Sequence, residues 1–145
     1  MIKLTYTYTD YDGNERTEDY YFHYNDAEIV KIELGVEGGF TEKIKRLIAA
    51  RDIPEIIKVF DEVIDTSYGV KSPDGREFIK SPELTAKFKR TEGYSKLFMD
   101  FVTKEGFAAD FFNNLIPHEI AGVTSEENSN GEEKKEESNV IKMNV

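Results

Sequence analysis

The sequence predicts an α+β fold: an N-terminal β-hairpin packed on a mostly helical bundle, followed by a disordered acidic tail. Three observations predict it. Residues 2–9 alternate apolar and polar side chains, apolar residues recur at helical spacing from Asn25 onward, and after Val123 a long acidic run has no apolar residue at all. A strand shows a period of two and a helix a period of 3.6, so the change of period marks the change of element. At 145 residues the chain is long enough for one domain with a modest core.

The hairpin covers residues 2–24. Ile2, Leu4, Tyr6 and Tyr8 fall on one face of the first strand and Lys3, Thr5, Thr7 and Thr9 on the other. Tyr20, Phe22 and Tyr24 share a face of the second, and Asp12-Gly13 between them is a turn signal. A lone hairpin is marginal in water, so it needs a partner element.

Helices are predicted over residues 26–66. Asn25 or Asp26 caps the first, which ends at Leu34; "GVEGGF" breaks the chain; Thr41 caps the next, with Ile44, Leu47 and Ile48 as its stripe. Asp52 and Glu55 form a capping box around Pro54. The helix that follows carries Ile56, Ile57, Val59, Phe60, Val63 and Ile64, a face broad enough to be touched from two sides. After a connector, residues 67–80, Ser81-Pro82 reads as N-cap and first helical residue. Thr91 starts a helix with Tyr94, Leu97, Phe98 and Phe101, and a last one carries Phe107, Phe111, Phe112 and Leu115 before Pro117. These elements make a domain over residues 1–122.

The tail is residues 123–145. Its stretch "SEENSNGEEKKEESN" holds six Glu and two Lys and cannot bury enough surface to offset the entropy of ordering, which predicts disorder with a solubilising effect; the apolar "VIKMNV" beyond it reads either as a short sticky tip or as a frayed terminus with no role.

Composition excludes several function classes. There is no cysteine, so disulfides and thiolate metal sites are out, in keeping with a reducing cytoplasm. The formal net charge of −10 repels nucleic-acid phosphates. No window approaches the roughly 18 apolar residues of a membrane span, and the alternating N-terminus is unlike a signal peptide. An enzyme finds no support. His23 and His118, the two histidines, lack ligand spacing; His23 reads as a solvent-side strand residue and His118 as a surface residue. No phosphate loop, dinucleotide fingerprint or nucleophile elbow is present, and Gly38-Gly39 reads as a turn. "DYDGN" lacks the length and terminal Glu of a calcium loop. Asp61, Glu62 and Asp65 read as the solvated face of their helix. No cofactor or metal is expected.

The connector is the sequence's most specific stretch. Residues 71–90 hold six basic residues against three acidic ones, a local surplus of three positive charges in an acidic chain. Pro73-Asp74-Gly75 sets a tight turn between two helical subdomains, with Phe78 and Ile79 tucked into the core. Lys71, Arg76 and Lys80 are candidate partner contacts, and Tyr94, Phe98 and Phe101 candidate aromatic anchors. Core packing is the competing role for the aromatics.

"YGVKSPDGREFIKSPELTAKF", "TEGYSKLFM" and "NNLIP" resemble the small tail assembly chaperone of long-tailed phages with Gram-positive hosts, and residues 1–118 fit that pattern throughout. The family pattern has Ala where this chain has Gly93. The resemblance implies a non-catalytic protein of the host bacterial cytoplasm that binds the tape measure protein, keeps it soluble and assists tail tube assembly, with the major tail protein as a second partner. It also implies a programmed ribosomal frameshift near the gene's end. Lys134-Lys135 is compatible with one, and a gene lacking a slippery heptamer there would remove the idea. A small structural virion protein of the tail or head–tail connector is the alternative. A nucleic-acid mimic would need carboxylates arrayed on a folded face, whereas the densest acidity is in the tail.

Overall fold

The computed structural model describes residues 1–116. His118 and the predicted tail from residue 123 lie outside the described residues. A four-stranded antiparallel sheet of order β1-β2-β3-β4 is covered on one face by six helices. The strands are β1 (Ile2–Thr9), β2 (Glu15–Phe22), β3 (Tyr68–Lys71) and β4 (Phe78–Ile79). The helices are α1 (Asp26–Leu34), α2 (Phe40–Ala50), α3 (Ile53–Ser67), α4 (Pro82–Lys89), α5 (Glu92–Thr103) and α6 (Phe107–Leu115).

The predicted hairpin is β1 and β2, in a register that sets Ile2 against Phe22 and Leu4 against Tyr20, all four buried. On the open face Thr5 donates to Asp19 at 2.6 Å and Thr7 meets Thr17 at 2.8 Å. Its turn is closed by Asp10, whose carboxylate accepts from the amides of Asp12 and Asn14 and from Arg16 Nε at 2.7 Å. The Arg16 guanidinium, then the Asn14 amide, hold that carboxyl down at about 2.

Local caps explain where most helices begin. Asn25 and Glu28 make a reciprocal capping box on α1. Asp52 accepts from the Glu55 amide at 3.4 Å, one half of the predicted box on α3. Ser81 and Thr91 cap α4 and α5 from their hydroxyls. Helix α2 departs from expectation: it begins at Phe40, one residue before the predicted Thr41 cap, and its N-cap residue, Gly39, has no side chain to offer. The buried carboxylate of Glu33 on α1 takes the place of a local cap, accepting from the Thr41 amide at 2.9 Å and from the Thr41 hydroxyl. An anion there also opposes the positive end of the helix dipole.

The connector departs further. Instead of a plain turn between two helical subdomains, it is a second hairpin, β3–β4, which joins the sheet by pairing Gly69 with Tyr21 and Tyr68 with Phe22. Ser72-Pro73-Asp74-Gly75 is the tight turn the sequence predicts, with Asp74 accepting from Ser72 Oγ and the Arg76 amide. Gly69 is required by proximity, since a Cβ there would lie 2.7 Å from the Ile79 carbonyl oxygen. Phe78 is only half-buried and Ile79 is exposed, so neither tucks into the core as predicted. The Phe78 ring instead lies against Gly69 and His23 within the sheet. His23 is not a solvent-side residue either: it is half-buried, its ring edge-on to Phe78 at 5.8 Å.

Aromatic rings fill the space between sheet and helices. Phe60, at the centre of α3, lies 4.1 Å from the Phe101 ring of α5 and 6.2 Å from Phe111 of α6, centroid to centroid. Phe88 of α4 stacks on Tyr68 at 4.4 Å and lies 4.7 Å from Tyr20. The broad face of α3 is thus met by α2 on one side and by α4 and α5 on the other. The acidic face opposite is solvated as predicted, with Asp61 and Asp65 flanking Lys89 at 3.6 and 2.8 Å.

Candidate partner-binding surface

The six candidate contact residues occupy four different environments. Lys71 and Arg76 are exposed on the β3–β4 hairpin, with the Lys71 ammonium 4.5 Å from the centre of the Tyr21 ring. Tyr94 and Phe98 are half-buried on α5, where Tyr94 packs on Phe60 and donates to Asp61 at 3.3 Å. Burial, then the Asp61 charge, push the Tyr94 hydroxyl up to about 12, so it stays a neutral donor. Phe101 is 4% exposed and belongs to the core.

Lys80 is a brace. Its ammonium donates to both carboxylate oxygens of Glu28, at 3.1 and 3.0 Å, and to the Thr66 carbonyl at 2.8 Å, and it lies 5.1 Å from the centre of the Tyr24 ring. Three elements meet there: the exit of the second hairpin, the first turn of α1 and the last turn of α3. Tyr24 and Thr66 share a further hydrogen bond of 2.6 Å. Burial pushes the Glu28 carboxyl up, but the Asn25 amide and Lys80 together outweigh it and hold the group below the usual carboxylate range.

Glu28, Tyr24 and Thr66 are also rim residues of a cleft of about 460 Å³ between α1 and α3, floored by Ile32, Val36, Phe40 and Val63. Lys80 therefore holds one end of this cleft in shape. On the far side of Phe40 a narrower cleft of about 240 Å³ runs between α2 and α6, walled by Ile44, Ile48, Ala109, Phe112 and Ile116. Phe40 is common to both. The clefts are lined mainly by apolar side chains with a few polar groups at the edges, the makeup of a surface that takes an apolar partner. The α2 stripe of Ile44, Leu47 and Ile48 is visible in the sequence; Ile44 is buried in the core and Leu47 and Ile48 are half-buried against it.

Among the described residues no group of three His, Asp or Glu side chains could hold a metal ion, and no helix is long and apolar enough to cross a membrane. Of the polar groups at the clefts, Glu28, Tyr24, Thr66 and Thr41 are hydrogen-bonded to neighbouring elements.

A family model described as phage tail assembly chaperone matches residues 1–144. The chain belongs to the phage tail assembly chaperone family. Its role is accordingly in phage tail assembly. The match runs through the whole described fold and on through the acidic run into "VIKMN". No curated protein and no solved structure matches the chain.

Proposed function

We propose that this family member acts without catalysis in the host cytoplasm, binding the tape measure protein and holding it soluble while the tail tube, built from the major tail protein, assembles around it. The observation that supports this reading is the apolar cleft between α1 and α3. A long helical partner exposes apolar stripes before assembly, and an amphipathic helix binds by laying such a stripe into an apolar groove. Ile32, Val36 and Phe40 along the floor, with Tyr24 at the end braced by Lys80, supply anchors for one. The net charge of −10 keeps the chain soluble while it carries an apolar client.

The test is co-expression of the full chain with the tape measure protein, followed by pull-down. The client is expected in the soluble fraction with the wild-type chain. Ile32→Glu, placing a charge on the cleft floor, is expected to reduce capture about tenfold or more, the equivalent of roughly 1.4 kcal/mol, with an unchanged circular dichroism spectrum. A client that stays insoluble beside the folded wild-type chain would overturn the reading. Stoichiometric presence of this protein in purified particles would favour the structural virion alternative.

A further inference from the structure

The larger cleft is the one offered to a client; the narrower cleft between α2 and α6 has a different candidate occupant. We propose that it is covered by the chain's own apolar segment Val140–Val145, held there by the acidic run that precedes it. Three observations carry this.

The first is where the described structure stops. Ile116, its last described residue, is itself a wall of the cleft, opposite Ile44 and Ile48. Residues 117–139 separate it from Val140. A segment of that length can span up to roughly 75 Å when extended, ample to return to a neighbouring helix. Tethering within one chain corresponds to a local concentration on the order of millimolar, so even a weak apolar contact forms within the molecule.

The second is charge. Helix α2 carries Lys43, Lys45 and Arg46, with Arg51 just past its end, against one acid, Glu42. Only Lys45 of these forms an ion pair among the described residues, with Glu42 at 3.7 Å. The spacer carries six Glu between 126 and 137 against two Lys. An acidic strand drawn across a basic helix sets its apolar end beside that helix's cleft.

The third is composition. Ile141, Met143 and Val145 alternate with Lys142 and Asn144, so an extended segment presents three apolar side chains to one side and polar groups to the other. The cleft is apolar along its length, with Lys45, Thr41 and Asn113 at its edges. The family match runs to residue 144 and so takes in this segment up to Asn144.

The experiment is NMR on the full chain with methyl labelling of Ile, Val and Met. Cross-peaks are expected between the Met143 methyl and the Ile44 or Ile48 methyls. The double variant I141S/M143S is expected to remove them and shift Ile44, Ile48 and Ile116, leaving Ile2 and Ile64 in the core unchanged. Raising sodium chloride to 1 M is expected to weaken the same cross-peaks. Cleft resonances indifferent to I141S/M143S would overturn the proposal. So would cross-peaks seen only between differently labelled copies in a mixed sample, which would make the contact one between molecules. Both readouts use the chain without its client, so failure here is distinct from failure of the tape measure reading.

Discussion

The Tyr20 hydroxyl on β2 rests against the backbone of Gly93 on α5, so closely that a Cβ at residue 93 would lie 2.0 Å from the Tyr20 oxygen and under 3 Å from two ring carbons. Glycine at 93 is what lets the tyrosine in. Gly93→Ala is expected to destabilise the protein by about 1–2 kcal/mol, because overpacking typically costs 1–3 kcal/mol and outweighs the gain of up to roughly 1 kcal/mol in helix propensity. Urea denaturation of the full chain measures it; a stabilised variant would mean Tyr20 swings away at little cost.

Tyr20→Phe tests the other half of the same contact. The hydroxyl is buried near Tyr8 and Thr91, and no group among the described residues meets it in hydrogen-bond geometry. Removing an unsatisfied buried polar group is neutral or stabilising. The variant is expected to match or exceed the wild type, and to lessen the cost of Gly93→Ala without erasing it, since the ring carbons remain. A loss above about 1 kcal/mol would show that the hydroxyl has a partner after all.

Glu33→Gln is expected to cost about 1.5–3 kcal/mol, the range for hydrogen bonds to a charged group. The Glu33 carboxylate is the only side chain among the described residues capping α2, and the amide oxygen keeps the shape while losing the charge. Amide hydrogen exchange should speed up in the first turn of α2 before the strands. Uniform speeding across all elements would argue against a local cap.

Acid should destabilise the fold in two steps. Burial, then the N-terminal ammonium and Lys80, hold the His23 imidazole below its ordinary value of 6.5. A lowered folded value means the unfolded chain takes up the proton more readily, so this contribution is complete above about 6.5 and is lost as pH falls below it. Glu28, held below its ordinary value of 4.5, adds a loss that begins only under that pH. Urea midpoints at pH 7.5 and 5.5 should differ in the wild type, and His23→Gln should flatten the difference; an unchanged slope would clear His23 of the effect.

The three basic candidates should separate. Lys80→Met is expected to lower stability by about 1 kcal/mol, discounted for partial exposure of the pair, and to weaken client capture through a slackened cleft. Lys71→Glu with Arg76→Glu should leave stability and circular dichroism unchanged, so any loss of capture reports partner contact at the hairpin. Equal effects of both changes on stability would remove the distinction.

Much of this protein was legible residue by residue. The alternation of Ile2, Leu4, Tyr20 and Phe22 marked the inner face of a hairpin, and Asn25, Ser81 and Thr91 marked helix starts, because these signals act within a few residues of chain. The motif segments pointed to the family. What only the tertiary structure decided rests on contacts between distant residues: the addition of β3 and β4 to the sheet, the capping of α2 by Glu33, the seat of Tyr20 on Gly93, the bracing of α1 and α3 by Lys80, and the clefts on either side of Phe40. A two-residue strand has no period to read, and a cleft is defined by where two helices fail to meet, which no single segment encodes.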